Sequence, residues 1–170
     1  MKRFLFLAIG LLSCAALPLR FSVNDISLTI PLVTSTNDTV IYPKDPSTFT
    51  PPSVGFTSVK LEGNAKANNV LQNVSVFLHA RNTDPALDPS CNVSVEIIVC
   101  PKNGQKRINS NALVLLSSGA KQPFAFDDTD NAFRDGINSG KLWLGLEVTS
   151  GAAANMNLQL LDLIMSLTLL

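Results

Sequence analysis

Short runs of alternating apolar and polar residues, separated by turn-forming residues, fill the chain after about position 20, and no internal repeat can be aligned. That pattern predicts an all-β protein, an antiparallel β-sandwich of about seven to nine strands. In residues 20–31, Phe21 and Val23 share one parity while Ile26, Leu28 and Ile30 share the other. An extended segment there must change faces near Asn24-Asp25, most simply through a bulge. Residues 55–63 switch in the same way, with Phe56 on one parity and Val59 and Leu61 on the other. Between them Pro43, Pro46, Pro51 and Pro52 accompany Asp45, Ser47 and Ser53, a loop suited to covering a sheet edge.

Residues 70–80 direct Val70, Val74, Val76 and Leu78 one way and Asn73, Ser75 and His79 the other, as in a strand with one wet face. Residues 91–99 alternate likewise, burying Val93, Val95, Ile97 and Val99 and exposing Asn92, Ser94 and Glu96. Asn103-Gly104 is a strong hairpin signal, which predicts that a strand near residues 111–117 pairs back onto this one. Residues 127–138 read as one short helix, its body near 129–138, with an acidic capping cluster ahead of it. Phe133 and Ile137 lie on one face, and Ser139-Gly140 ends it. Residues 141–149 predict a strand with Leu142, Leu144, Leu146 and Val148 inward and Trp143, Gly145 and Glu147 outward. The apolar run 157–170 is read as a closing strand because Ser166-Leu167-Thr168-Leu169 alternates.

The first residues obey different rules. Met1-Lys2-Arg3 precede nine apolar residues from Phe4 to Leu12, the basic and hydrophobic regions of a secretory signal, too short to span a bilayer as a helix. The following Leu11-Leu12-Ser13-Cys14 resembles the lipobox of bacterial prolipoproteins, with Leu12 standing where a smaller residue is usual. The resemblance implies a signal peptide over 1–13, lipid attachment at Cys14 and a short tether over 14–19. A single β-sandwich domain over 20–170 then stands at a membrane. The absence of Asp after Cys14 resembles the pattern of outer-membrane or cell-surface sorting. The alternative is an ordinary signal cut after Ala15 or Ala16, with release into the periplasm or the medium.

Composition narrows the functional classes. With 46% apolar and 15% charged residues the chain is built to fold. Thirteen Lys plus Arg balance thirteen Asp plus Glu, so the basic footprint of a nucleic-acid binder is missing. Lys102, Lys106 and Arg107 form a basic hairpin tip, read as solubilising charge that could also touch anionic headgroups. Three matches to the N-glycosylation sequon, beginning at Asn37, Asn73 and Asn92, carry no information. No cofactor motif and no metal-ligand spacing occur, and no nucleophile motif accompanies His79, the one histidine.

Three features invite chemistry. Cys91 and Cys100 are the natural disulfide pair in an exported protein, but on one extended strand they would stand about 30 Å apart against a tolerance of about 7 Å. Either a turn intervenes or the thiols stay free. Trp143 could stack on a sugar as a ligand contact, or be covered by neighbouring structure. Asp127, Asp128, Asp130 and Asp135 could offer oxygens to Ca²⁺, although helix capping explains them and no EF-hand loop is met. The favoured expectation is a non-catalytic cell-envelope lipoprotein with a structural or binding role, whose partners are the membrane through Cys14 and an envelope protein or glycan. A carbohydrate- or calcium-binding module and an envelope hydrolase using His79 are the alternatives.

Overall fold

Two antiparallel sheets face each other across the principal core in the computed structural model, which describes residues 18–34, 38–48, 50–51, 53, 55–109, 111–127 and 131–169. The leader over 1–13, Cys14 and most of its tether, and Asp128 and Asp130 of the acidic cluster lie outside the described residues. Sheet 1 is organised on β13 (Ala152–Leu169). On one side β13 pairs with β5 (Phe56–Val70), which in turn carries β11 (Gln122–Asp127). On its other side β13 pairs with β1 (Leu19–Ser22) and β2 (Ile26–Thr34). Thus residues 19–34 form one interrupted edge strand. The interruption falls at the expected face switch: Asp25 Oδ1 accepts the Asp162 N–H at 3.0 Å, and Asp162 has a φ of 56°. The face change near Phe56 also holds, matched by a register shift between Thr168 and Leu169.

Sheet 2 centres on β12 (Lys141–Ser150), flanked by β6 (Val74–Arg81) and β3 (Thr39–Pro43). Beyond β3 lie β8 (Ile97–Pro101) and β7 (Asn92–Val93). Two short strands, β9 (Lys106–Arg107) and β10 (Leu113–Leu115), border β6, and β4 (Ser47–Thr48) touches the start of β12. Thirteen strands are described. With the three two-residue segments set aside and β1 and β2 counted together, nine remain, within the expected range. The one α-helix among the described residues, α1 (Ala132–Ser139), buries Phe133 and Ile137 as its spacing requires, but Asn131 occupies its N-cap without a side-chain hydrogen bond.

Period-two burial explains the core. Val74, Val76, Leu78 and Ala80 of β6 and Leu142, Leu144, Leu146 and Val148 of β12 point between the sheets. Met156, Leu158, Leu160, Leu163, Met165 and Leu167 of β13 meet them there. The change of parity between Leu160 and Leu163 spans Asp162, so the backbone kink is what keeps both halves of the strand inward.

Three expectations fail for stated reasons. Residues 91–99 are not one strand: β7 and β8 form a tight hairpin closed by Ser94, whose N–H and hydroxyl both donate to the Ile97 carbonyl at 2.9 and 2.8 Å. Val93 and Val95 are therefore exposed rather than buried, Val95 at 88%. The hairpin places Cys91 opposite Cys100, with Cα atoms 4.2 Å apart, and they form a disulfide. The turn at Asn103-Gly104 exists, with Gly104 at φ 87°, but β9 and β10 pair with β6 rather than with β8. Its chain crosses from one side of sheet 2 to the other. Finally, the outward side of β6 and β12 is not wet. His79, Trp143 and Glu147 are only 1%, 6% and 3% exposed, and the position of Gly145 is filled by Val40 and the Tyr42 ring, which would stand 2.5 Å from a Cβ there.

Closing the Cys91–Cys100 loop should stabilise the fold by about 2 to 3 kcal/mol through loss of unfolded-chain entropy. The double variant Cys91→Ser/Cys100→Ser is expected to lower the urea midpoint accordingly. An unchanged midpoint would show that the hairpin is held by its hydrogen bonds alone.

Candidate functional site

The described structure offers two sites where side chains converge, and they lie on different sides of sheet 2. The first is a charged cluster beneath the 102–105 crossover. Glu147 accepts from His79 Nε2–H at 3.0 Å and from Arg107 Nη2–H at 2.9 Å, and its other oxygen is ion-paired with Lys102. The crossover is pinned by the Lys102 N–H donating to the Asp38 carbonyl at 2.7 Å and by the Tyr42 hydroxyl donating to Gln105 at 2.9 Å. Arg107 also lies 3.6 Å above the Phe77 ring, so its stem and guanidinium both shield the pair below.

Burial alone would raise the Glu147 carboxyl, but hydrogen bonds from Lys102, His79 and Arg107 outweigh it and bring it to about 2. His79 is lowered, first by burial, then by the nearby Arg107 and Lys102, against the raising effect of Glu147. The ring is therefore neutral at pH 7 and donates through Nε2. Its buried Nδ1 has no hydrogen-bond partner. A hydrolytic triad needs a hydroxyl on one ring nitrogen and a carboxylate on the other. Here the carboxylate holds Nε2, no hydroxyl among the described residues meets Nδ1, and three donors converge on one buried carboxylate. The basic tip expected at Lys102, Lys106 and Arg107 is in part folded inward to serve it.

The second site is a cleft of about 1360 Å³. One wall is the β1–β2 edge of sheet 1, and the other is formed by residues 43–48, 50 and 53 of the proline-rich stretch. Ile137 of α1 and Met165 of β13 also line it, as do Val95 and Glu96 at the tip of the disulfide-closed hairpin. Leu19 and Phe21 stand opposite Leu167 and Met165, which are buried, and cross-strand partners share a face. Both therefore point to the interior side of sheet 1, yet they are 44% and 37% exposed. Among the described residues, no strand of sheet 2 pairs with or covers this end.

Trp143, expected as a ligand contact or as a covered ring, takes the second role. It is buried with Val40, Tyr42, Ile98 and the disulfide, and its Nε1–H donates to the Lys44 carbonyl at 3.2 Å. That bond and the β4–β12 pairing at Ser47 and Thr48 fix the far wall of the cleft. The sugar-platform expectation for Trp143 is thereby corrected: its indole has no open face to offer. Among the described residues no group of three metal-ligating side chains comes together, and Asp127 lies exposed on β11. No single motif marks the cleft. Its one advance signal was the proline-rich segment read as an edge cover. No described helix is long and apolar enough to cross a membrane. No family model, curated protein or solved structure matches this chain.

The ion network makes the fold acid-sensitive with a defined sign. Glu147, depressed in the folded state, contributes stability above its unfolded value near 4.5 that is lost as pH falls toward about 2. His79, also depressed, adds a loss as pH falls below its unfolded value near 6.5. Glu147→Gln should cost about 2 kcal/mol at pH 7, a figure reduced by the partial exposure of Lys102 and Arg107. It should also flatten urea-derived stability between pH 4.5 and 2. An unaltered slope in that range would remove Glu147 from the centre of the network.

Proposed function

We propose that this protein is a non-catalytic lipoprotein of the bacterial envelope, tethered through Cys14, that holds a ligand or partner in the cleft between β1–β2 and residues 43–48. The export reading rests on the basic start, the apolar run and the lipobox-like Leu11-Leu12-Ser13-Cys14. The binding reading rests on one observation: Leu19 and Phe21 face the interior side of a sheet, yet among the described residues no covering layer closes over them. Concave apolar surface with a few polar groups at its rim is the usual form of a binding site. The cleft exceeds the volume typical of a drug-sized ligand, roughly 300 to 1,000 Å³, and so suits an extended guest. The hydrolase alternative is disfavoured by the closed environment of His79, and the glycan alternative by the burial of Trp143.

Two measurements test this reading. Expressed in a bacterial host, the wild-type chain should fractionate with membranes and Cys14→Ser with the soluble fraction; identical distribution of the two would overturn the anchor. The full chain in detergent should bind an environment-sensitive apolar dye, and Phe21→Asp should weaken that binding at least tenfold, the worth of about 1.4 kcal/mol of lost apolar contact. Because Phe21 is only 37% exposed, the variant is compared under conditions where its own urea curve shows it fully folded. Dye binding unaffected by Phe21→Asp would place the guest elsewhere.

A further inference from the structure

The β1–β2 wall of the cleft differs from an ordinary apolar surface in what its backbone offers. Residues of both parities from β1 and β2, including consecutive Ile26, Ser27, Leu28 and Thr29, line the same space. A strand presents both parities to one side only when its edge, rather than a face, is turned there. In an antiparallel pair, alternate N–H and C=O groups of β2 point away from β13, and among the described residues no strand pairs with β1 or β2 on that side.

Natural sheets guard such edges with charge, proline or cover. Pro31 and the break at Asn24-Asp25 interrupt this one at two points, but between them Ile26-Ser27-Leu28-Thr29-Ile30 has neither charge nor proline. Five unguarded residues, three of them (Ile26, Thr29 and Ile30) of high strand propensity, form a template for another strand. The charges lining the cleft are Asp25, Asp45 and Glu96 against Lys44 alone, an acidic excess.

We infer that the cleft receives an extended polypeptide segment of a partner protein, one that alternates apolar and basic residues and adds as a further strand to β2. This deepens the binding reading above and rests on it. The apolar side chains of the guest would meet the floor near Phe21 and Met165, its basic ones would meet Asp25, Asp45 or Glu96, and its backbone would satisfy the free edge. On its far side, residues 43–48, 50 and 53 give the added strand a second wall.

The probe is a nine-residue peptide alternating valine and lysine, added to the full chain in detergent at low salt. It should displace the apolar dye and slow hydrogen exchange at edge-facing amides of residues 26–30 at least tenfold. N-methylation of alternate peptide amides should weaken binding at least tenfold in one register and less than threefold in the other. Replacing lysine with glutamate should weaken it at least tenfold. Dye binding with no peptide binding, or equal tolerance of both N-methyl registers, would overturn strand addition while leaving the cleft as a binding site. Failure of dye and peptide alike would overturn both readings. Protection of residues 26–30 that rises with protein concentration and without peptide would assign the edge to a second copy and overturn the partner assignment.

Discussion

Strand β13 hydrogen-bonds along both of its edges through most of its eighteen residues, and every other strand of sheet 1 depends on that double pairing. A straight strand of this length could not remain useful, because sheet twist would carry one half of its side chains away from the core. The left-handed backbone at Asn155 and Asp162 resolves the conflict by resetting the parity twice. Between and beyond those positions Met156, Leu158, Leu160, Leu163, Met165 and Leu167 all remain buried, each contributing roughly 1.5 to 3 kcal/mol of transfer free energy. The partner strands follow the kinks: β1 and β2 separate opposite Asp162, and Gly63 of β5 lies where a Cβ would come within 2.8 Å of the Leu161 carbonyl. One strand thus dictates where its neighbours must break.

Sheet 2 solves a different problem. Its inner face joins the main core, while its outer face carries polar residues on β6 and β12 that a sandwich would normally leave in water. The chain returns over that face between β8 and β9, and the return path converts it into a second interior. Tyr42, Ile98, Trp143 and the disulfide supply the apolar part; His79, Glu147, Lys102 and Arg107 supply the charged part. A carboxylate removed from water must gain compensating donors, and Glu147 gains three. The crossover and the cluster therefore require each other: without the loop the pair would be solvated, and without the pair Lys102 and Arg107 would have no inward partner.

The cleft is a product of both arrangements. Among the described residues, the break between β1 and β2 and the short reach of sheet 2 open it, whereas Trp143 and β4 hold its far wall in place. Trp143 thus connects the outer core to the site without touching a guest. The disulfide has a similar place, since it closes the hairpin whose tip, Val95 and Glu96, borders the opening. Residues that carry the proposed activity are the uncovered ones, and residues that shape it are buried behind them.

Much of this was legible in the order of the residues. Alternation alone defined the inner faces of β6 and β12, the extended end of β13, the face changes at Asn24-Asp25 and near Phe56, and the helix through Phe133 and Ile137. These are local consequences of a period of two or of 3.6, and burial only ratifies them. What alternation could not determine was whether the opposite face meets water. His79 and Glu147 read as solvated because polar residues on an outer face usually are, and only the crossover of residues 102–105 brought Lys102 and Arg107 down upon them. The hairpin that joins Cys91 to Cys100 was hidden for a related reason: Ser94 to Ile97 contains neither glycine nor proline, and its turn is held by a serine hydroxyl whose value depends on the fold around it. Local chemistry determined which residues alternate and where the chain must bend, whereas the choice of strand neighbours, and with it the closed ion network and the open cleft, required contacts between residues far apart in the chain.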